Sequence, residues 1–281
     1  MILVFGSTGT TGRGVARHLI AGGIKPRLLV RSPEKAKEYA GQAEIVRGDL
    51  ERPESLVAAM KDVEKMFLVS AGLNGTDLEI QAINVAKKAG VKHVVKLSVI
   101  GAEHPVLTFS KWHAKVEEHL MASGLKWTMV RPGNFMSNAY QWADTIRARG
   151  AFYQPTGTGR WAAIDPADIG AVAAKALTSA GHEGKSYTLT GAESMNAGQY
   201  AAVLSSVLGK PVKFADVPPE AARDSILNAG IPPAYVDAIL DLYAAMKAGR
   251  ADVVTDTVEK VTGKKPGTFE AWAKRNVAGF K

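Results

Sequence analysis

The chain has 281 residues, of which 46% are hydrophobic and 22% are charged, and its formal net charge is +8. It contains no cysteine, which excludes disulfides, iron–sulfur clusters, thiolate zinc sites and a cysteine nucleophile. Its basic residues are interleaved with acids rather than aromatics, which argues against a nucleic-acid surface, and no apolar run suits a membrane span or a signal peptide. We therefore expect a cytoplasmic globular protein whose positive charge attracts anionic small molecules.

The N-terminal stretch places a glycine-rich loop between a strand and a helix. Residues Ile2 to Phe5 form an apolar run typical of a strand buried on both faces, and the apolar positions from Val15 to Ile20 share one helical face. The G-x-x-G-x-x-G spacing between them lets the backbone approach a dinucleotide pyrophosphate at the positive end of the helix. A glycine-rich turn without a ligand is the alternative. The predicted binding loop comprises Gly6, Ser7, Thr8, Gly9, Thr10, Thr11 and Gly12.

The second predicted strand, Arg27 to Val30, is followed directly by Arg31. In a dinucleotide-binding fold this strand end lies beside the adenosine ribose, where an acid bonds the 2′-hydroxyl of NAD and an arginine accommodates the 2′-phosphate of NADP. The fork-shaped guanidinium suits phosphate. We therefore predict that Arg31, with Lys35 nearby, favours NADP(H). Binding of NAD(H), and an ordinary surface role for the arginine, remain the alternatives.

Two further strand ends extend the predicted cofactor site. The third strand, Glu44 to Val46, precedes Asp49 and Leu50. The Asp49 carboxylate could accept a bond from the adenine amino group, or it could cap the helix that begins near Pro53. The fourth strand, residues 66–69, precedes small residues that would let the nicotinamide ribose approach. Those residues are Ser70, Ala71 and Gly72.

Strands and helices continue to alternate toward the middle of the chain. The spacing of Thr76 and Glu79 predicts a capping box at the start of the next helix. A fifth strand runs from His93 to Leu97 and ends at Ser98, and a helix from about 110 to 123 precedes another strand. Repeated strand–helix units predict an α/β fold with a Rossmann-like, doubly wound parallel sheet.

The second half of the chain predicts one return to the sheet and a separate lobe. Asp165 is a helix N-cap and Asp168 lies in the first turn after it, so we interpret Asp168 as structural rather than catalytic. Residues 186–190 could return to the sheet, and the capping box of Asn196 and Gln199 opens a run of helices. The predicted domains are an NADP-binding domain of residues 1–132 plus roughly 165–192, and a smaller, mostly helical substrate-binding cap of residues 133–164 and 193–281.

Several segments spread over nearly the whole chain match one known family. They are Gly6–Gly12, Val30–Ala36, Gly48–Asp49, Gly90–His93, Arg131–Phe135, Asn228–Pro232, Leu240–Gly249 and Thr262–Pro266. In them the chain resembles the NmrA-like branch of atypical short-chain dehydrogenases/reductases, close to its triphenylmethane reductase and NAD(P)H:quinone oxidoreductase group. The resemblance implies an NADPH-binding domain with a small helical cap, and reductase activity on quinones or dyes. Some members of that family are instead redox-sensing regulators.

The resemblance also locates residues near the reacting end of the cofactor. The typical Tyr-x-x-x-Lys signature of short-chain dehydrogenases falls on Phe109 and His113, so the usual acid and ribose-binding lysine are both replaced. We predict that His113 faces the nicotinamide ribose as the candidate catalytic residue, with a structural histidine as the alternative. His113 and Glu117 lie one helical turn apart, but two ligands without a third do not make a metal site. The cofactor set is completed by Ser98, Pro132 and Asn134.

The missing tyrosine narrows the expected chemistry. Reduction of a simple ketone needs a proton donor in the transition state. A quinone, by contrast, becomes a stabilised phenolate, and a triarylmethyl cation takes hydride at carbon without any proton. Such acceptors need alignment, exclusion of water and a flat apolar pocket. Aromatic and apolar residues after the sixth strand could line that pocket, although helix and loop packing is the alternative for each one. They are Phe135, Met136, Tyr140, Trp142 and Phe152.

These observations predict an NADPH-dependent reductase of quinones or of triphenylmethane and azo dyes, with direct hydride transfer and no flavin. The expected partner is a small aromatic acceptor, with no nucleic acid, no membrane and no metal, and a homodimer is compatible with the sequence. The alternative is a non-catalytic NADP(H)-sensing regulator that binds a protein partner.

Overall fold

The computed structural model describes residues 1–281 and is built around a seven-stranded parallel sheet. The order of its strands is β3-β2-β1-β4-β5-β6-β9. Their bounds are β1 (Ile2–Val4), β2 (Arg27–Val30), β3 (Glu44–Arg47), β4 (Lys65–Leu68), β5 (His93–Leu97), β6 (Lys126–Pro132) and β9 (Lys185–Leu189). The strand order reverses between β1 and β4, which opens a crevice at the carboxyl ends of these strands. The predicted doubly wound α/β fold is confirmed.

Eleven α-helices and four short strands complete the chain. The helices are α1 (Thr10–Ala21), α2 (Pro53–Ala59), α3 (Gly75–Lys88), α4 (Thr108–Ala122), α5 (Ala143–Arg149), α6 (Pro166–Thr178), α7 (Ala197–Leu208), α8 (Pro219–Asn228), α9 (Pro233–Lys247), α10 (Thr257–Thr262) and α11 (Phe269–Arg275). Two small two-stranded sheets pair β7 (Ala151–Gln154) with β11 (Lys213–Asp216), and β8 (Arg160–Trp161) with β10 (Met195–Asn196). None of these helices is long and apolar enough to cross a membrane.

Two buried clusters flank the main sheet, one on each face. On one face α1 packs closely against α6, because two glycines meet there. A Cβ added to Gly170 would lie 2.6 Å from the carbonyl carbon of Gly14, so α6 cannot carry a side chain at the contact, and a Cβ at Gly14 would lie only 3.2 Å from the Pro166 carbonyl oxygen. This contact fixes α1, and hence the glycine loop that precedes it, against the sheet.

A third cluster of 20 buried residues lies away from the sheet and is rich in aromatic side chains. Trp142 stacks on Phe152 with ring centroids 4.1 Å apart, and Tyr200 meets Phe269 edge to face at 4.7 Å. It draws its members from the segments between 136 and 163 and between 195 and 280. Large stacked rings therefore hold together a chain region that has little sheet of its own.

Two of the three predicted helix caps are confirmed, and one is wrong. The Asp165 cap and the Asn196–Gln199 capping box are both present. The predicted capping box of Thr76 and Glu79 is wrong, because α3 begins at Gly75 without a side-chain cap and the Glu79 carboxylate turns toward the sheet. The segment after Arg31 is a short 3-10 helix, Pro33–Tyr39. The other 3-10 helices are Met136–Trp142 and Val277–Phe280.

Candidate active site

The glycine loop has the geometry of an anion site. Gly6 adopts a left-handed φ of +61°, and a Cβ at Gly12 would lie 2.3 Å from the Gly6 carbonyl oxygen, so the loop and the start of α1 require both glycines. Gly9 is the N-cap of α1, where no side chain accepts from the free N–H groups and no acid lies in the first turn. Those N–H groups and the helix dipole are therefore available to a phosphate.

A cleft of about 480 Å³ opens above this loop, at the point where the strand order reverses. It is lined by the ends of β1, β2, β3, β4 and β5 and by the start of α1. Eleven residues of the predicted cofactor set line it, namely Gly6, Thr8, Gly9, Thr10, Thr11, Gly12, Arg31, Asp49, Leu50, Ser70 and Ala71. These residues come from strand ends that are up to 65 residues apart along the chain, from Gly6 to Ala71.

The other predicted cofactor residues lie outside the walls of this cleft. Ser7 is fully buried beneath the loop, Lys35 is exposed on the 3-10 helix, and Ser98 and Pro132 are buried at the ends of β5 and β6. Gly72 and His113 line a smaller cavity of about 60 Å³, which shares Ser70 and Ala71 with the cleft. Asn134 lines a third cavity. Of these residues, Gly72, His113 and Asn134 still lie beside the cleft, whereas Lys35 does not.

The adenosine end of the cleft carries a free cation and an acid. Arg31 is exposed at the end of β2 and forms no ion pair within the chain, so its guanidinium is free to bind an anionic ligand. Asp49 does not cap α2, whose N-cap is Arg52; its carboxylate accepts the Glu51 N–H at 3.2 Å instead. Asp49 therefore lines the cleft and does not cap the helix.

The cleft fits a dinucleotide in its shape and its polar groups. The uncapped start of α1 and the glycine cradle suit the pyrophosphate, and Arg31 suits a 2′-phosphate. Beneath the cleft, the hydroxyls of Ser7 and Ser98 are buried without a hydrogen-bond partner in the chain. Because buried hydroxyls are nearly always satisfied, their position next to the cleft is a further sign of a ligand there.

A second cavity, of about 230 Å³, adjoins the cleft and is largely aromatic. Phe135 lines both spaces and therefore stands at their junction. The lining contains no charged side chain; its members include Phe109, Asn134, Met136, Asn138, Gln141, Trp142, Gln154, Trp161, Tyr200, Tyr235, Tyr243 and Phe269. A flat, uncharged aromatic molecule fits such a wall, and the amide groups offer a few points of orientation.

Three of the five predicted acceptor residues line this cavity, and two do not. Phe135, Met136 and Trp142 contribute to the wall. Phe152 is fully buried behind Trp142, on which it stacks. Tyr140 points away toward the C-terminus, where its ring stacks on Phe280 at 5.5 Å and its hydroxyl donates to Asn276 at 2.9 Å. In the 3-10 helix that carries Tyr140, its neighbours Ala139 and Gln141 face the cavity instead.

The replaced signature on α4 falls at the junction of the cavities. Phe109 lines both the aromatic cavity and the small cavity that contains His113. The only phenol at the small cavity comes from α9: Tyr235 lies edge to face against Phe109, with ring centroids 5.2 Å apart. Burial raises the pKa of Tyr235, so its hydroxyl stays protonated at neutral pH.

His113 is held by a buried charged network that sequence reasoning missed. The Nζ of Lys96 lies 3.0 Å from His113 Nδ1 and 2.8 Å from the Glu79 carboxylate. Burial, reinforced by the Lys96 ammonium, holds the pKa of His113 well below its usual range. His113 is therefore a neutral imidazole at physiological pH.

Glu117 does not act together with His113. Its carboxylate accepts two hydrogen bonds from the Arg131 guanidinium, at 3.0 and 2.6 Å, and Arg131 also reaches Glu103 at 3.1 Å. This pairing ties α4 and the loop before it to the end of β6.

Two features of the sequence indicate the buried network of Lys96, Glu79 and His113. Lys96 is a charged residue inside an otherwise apolar strand, and Glu79 shares a helical face with Ala82, Ile83 and Ala86. Charged residues on core faces are almost always paired, so each of them signals a buried partner. No comparable signal marks Tyr235, whose helix lies far from α4 along the chain.

Comparison with known proteins agrees with this geometry. A model of a family described as NAD(P)H-binding matches residues 6–180. The chain is 39% identical to an NAD(P)H azoreductase from Xenophilus azovorans, over 100% of this chain and 99% of the relative. It is 36% identical, over 100% and 99%, to a (4-alkanoyl-5-oxo-2,5-dihydrofuran-3-yl)methyl phosphate reductase from Streptomyces griseus.

Solved structures show the same likeness over the full length. An NADPH-dependent quinone oxidoreductase from Escherichia coli, complexed with NADPH, superposes with a TM-score of 0.89 at 28% identity, covering 99% of this chain and 100% of that one. The triphenylmethane reductase of Citrobacter sp., complexed with NADP(H), gives 0.85 at 26% identity, covering 98% and 99%. The chain therefore belongs to the NAD(P)H-binding family and is an NAD(P)H-dependent reductase.

Proposed function

We propose that this protein transfers hydride directly from NADPH to a flat aromatic acceptor, either a quinone or an azo or triphenylmethane dye. The observation that carries the proposal is the uncharged aromatic cavity that meets the dinucleotide cleft at Phe135. An acceptor stacked in that cavity would present its face toward the end of the cleft. Names of relatives support the same acceptors, because they include an azoreductase and a quinone oxidoreductase.

NADPH bound in the cleft would supply the hydride. The chain's own residues would then provide alignment and a dry surface, which account for a large share of catalysis in such transfers. Phe109 stands where the family's usual acid would be, so α4 offers no proton to the acceptor. This suits a quinone, which yields a phenolate, and a dye cation, which becomes neutral. An azo acceptor takes hydride on one nitrogen and is left with a negative charge on the other, so in its case the proton would come from water.

The cavity lining also discriminates between acceptor classes. It contains no lysine or arginine, so an acceptor that carries a phosphate, like the one named for the Streptomyces relative, would leave that charge unpaired. Neutral quinones and azo compounds pay no such cost, and a dye cation can lie against aromatic faces. We therefore rank neutral acceptors first, cationic dyes second and phosphate esters last.

We further propose that residues 1–132 and roughly 165–192 bind NADP(H), while residues 133–164 and 193–281 bind the acceptor. The sheet supports this division because β9 joins it beside β6, and the aromatic cluster lies in the second set of segments. A cytoplasmic location and a homodimer stay predictions from the sequence.

The deciding experiment follows NADPH absorbance with purified protein and no added flavin. The acceptor panel is a naphthoquinone, a neutral azo dye, a cationic triphenylmethane dye and a phosphate-bearing butenolide. We expect turnover with the first three and least with the fourth. Tight NADPH binding without turnover of any acceptor would refute the reductase proposal and favour a redox-sensing regulator.

A matched pair of variants on α9 tests the cavity itself. Leu242 lines the aromatic cavity, whereas Leu240 lies at a separate surface groove. Leu242→Trp should raise the KM for the acceptor at least tenfold and leave the Kd for NADPH unchanged. Leu240→Trp is the control and should change neither constant. Equal effects of both substitutions would remove the cavity from the proposal.

A further inference from the structure

A buried ion pair joins β5 to α3 at the small cavity, which Glu79 and His113 both line. The Lys96 side chain is 0% exposed and that of Glu79 is 2% exposed, with Nζ and Oε2 2.8 Å apart. The other carboxylate oxygen of Glu79 accepts the backbone N–H of Ser70 at 2.8 Å. Because the desolvation of two charges offsets much of their attraction, such a pair is weak evidence for stability. Its position beside the site invites a functional explanation.

The donors of Lys96 fix the tautomer of His113. The ammonium lies 2.8 Å from Glu79 Oε2, 2.6 Å from the Leu97 carbonyl oxygen and 3.0 Å from His113 Nδ1. An ammonium has three N–H donors and no acceptor, so each of these contacts is a donation and Nδ1 must accept with its lone pair. The ring proton is therefore on Nε2. That nitrogen has no hydrogen-bond partner within the chain.

We propose that Lys96 and Glu79 are positioning residues that hold His113 as a neutral imidazole with its N–H at Nε2. The ring lines the small cavity that continues from the cleft at Ser70 and Ala71. There the Nε2–H is a fixed hydrogen-bond donor for an oxygen of the ribose or carboxamide at the nicotinamide end of the cofactor. The inference rests on the proposed function, since it assigns this donor to the reacting end of the site.

The charges around the ring make protonation unfavourable. Lys96 approaches from β5 and would repel an imidazolium, while α3 contributes Glu79, which Lys96 already neutralises. From α9 only the Tyr235 phenol lines the cavity. The next acid on α4, Glu117, forms a salt bridge with Arg131. No free carboxylate is thus at hand to stabilise the charged ring. The same lysine that orients the ring therefore adds to the effect of burial, which is the main reason that the ring stays neutral.

Nitrogen NMR of the wild-type protein without cofactor tests the tautomer directly. Histidine labelled with ¹⁵N gives signals for six residues, and the His113→Asn variant identifies those of His113. We expect protonation at Nε2 only, with no titration between pH 5.5 and 8. Protonation at Nδ1, or titration of the ring within that range, would overturn the proposal whatever the activity of the enzyme.

Removing the lysine tests its role. In Lys96→Met, and in Lys96→Met/Glu79→Gln, which removes both buried charges if the single variant fails to fold, we expect His113 to exchange between tautomers. Its pKa should then rise, because the repulsion by the Lys96 ammonium is gone, but it should stay below the ordinary value of about 6.5, because the ring is still buried. The control is Lys65→Met, which removes a lysine from the neighbouring strand, where it donates to the Leu177 carbonyl oxygen at 2.8 Å. Unchanged His113 signals in a folded double variant would refute the positioning role.

Kinetics separate this inference from the proposed function. Lys96→Met and His113→Ala should raise the KM or Kd for NADPH by similar factors. The combined Lys96→Met/His113→Ala variant should bind NADPH no worse than either single variant, because both substitutions remove the same interaction. Additive losses would contradict the inference. If no acceptor is turned over but the NMR shifts occur as expected, the reductase proposal fails and the positioning of His113 stands.

Discussion

We propose that Arg31 selects NADP(H), because its exposed side chain lines the cleft and is unpaired. Other arginines near the glycine loop are engaged, since Arg13 and Arg17 both pair with Glu38, whereas Arg31 pairs with nothing in the chain. A guanidinium at the edge of the dinucleotide cleft has donors for two phosphate oxygens. NADP(H) offers such a group at this end, and NAD(H) does not.

We predict that Arg31→Ala weakens NADPH selectively. Loss of a charge-assisted contact costs on the order of 1.5–3 kcal/mol, or roughly 10- to 150-fold in Kd, and NADH should be nearly unaffected. Binding titrations of both cofactors measure this. Lys25→Ala is the control, because Lys25 is an exposed cation before the opposite end of the same strand. Equal weakening of both cofactors in Arg31→Ala would remove the 2′-phosphate from its role.

His113 leads to a prediction about catalysis without an acid. Its pKa is held below the usual range by burial and by Lys96, so it does not change charge near neutral pH. We expect the turnover number for a cationic dye to stay almost constant between pH 6 and 8. In His113→Ala the loss should appear mainly in cofactor binding, whereas loss of a general acid would typically cost about 10²–10⁴-fold in rate.

Stopped-flow rates with saturating NADPH check this expectation, and Tyr235→Phe provides the comparison. That substitution removes the only phenol hydroxyl at the small cavity and keeps its ring. If turnover falls by orders of magnitude in Tyr235→Phe but not in His113→Ala, the reaction uses an acid from α9 and the acid-free mechanism is wrong.

Two glycines at the loop between β1 and α1, Gly9 and Gly12, have different roles. Gly9 has an ordinary φ of −91°, and a Cβ there would meet only the Gly6 carbonyl oxygen at 3.3 Å. At Gly12 the same added atom would lie 2.3 Å from that oxygen and 2.4 Å from its carbon. The first glycine keeps the mouth of the cleft open, and the second lets the helix pack on the loop.

We predict opposite outcomes for substitutions at these two glycines. Gly9→Val should abolish NADPH binding in a folded protein, because the branched side chain occupies the approach of the pyrophosphate. Gly12→Ala should lower the free energy of unfolding by on the order of 1–3 kcal/mol, because the loop must shift to admit the methyl group. Urea unfolding and cofactor titration distinguish the two. Normal NADPH affinity in a folded Gly9→Val variant would contradict the assignment of the loop.

For the molecule as a whole, buried histidines couple folding to pH. His93 is 2% exposed at the start of β5, where Nε2 lies 2.9 Å from the Thr128 hydroxyl and Nδ1 has no partner. Burial lowers the pKa of His93 to about 4, and His182 and His113 shift in the same direction. The folded state therefore excludes protons that the unfolded chain binds.

This depression predicts a loss of stability in acid. Above about pH 6.5 the ring is neutral in both states, so the contribution is complete. As the pH falls toward 4, protonation favours the unfolded chain, and His93 alone should remove about 3 kcal/mol. Urea unfolding between pH 4 and 8 measures the slope, with His93→Gln as the comparison. An equally steep slope in that variant would show that His93 is not responsible.

Features that depend on a few neighbouring residues could be read from the sequence. The apolar runs of the sheet, the glycine loop, and Arg31 and Asp49 at strand ends follow such local patterns, and the structure brings these residues together at the cleft. Each is fixed by short-range rules, since strand burial, helix termini and the carboxyl edge of a parallel sheet follow from local pattern and strand order.

Only the tertiary structure decided which side chains meet. Glu79 lies in a helix-capping pattern, yet the packing of α3 on the sheet places its carboxylate in an ion pair with Lys96. Phe152, Tyr140 and Trp142 are all aromatic, yet of these three only Trp142 lines the cavity. Tyr235 comes to the site from α9, more than 120 residues beyond His113. Such contacts depend on helix rotation and on the direction of each side chain, which long-range packing sets and local sequence does not encode.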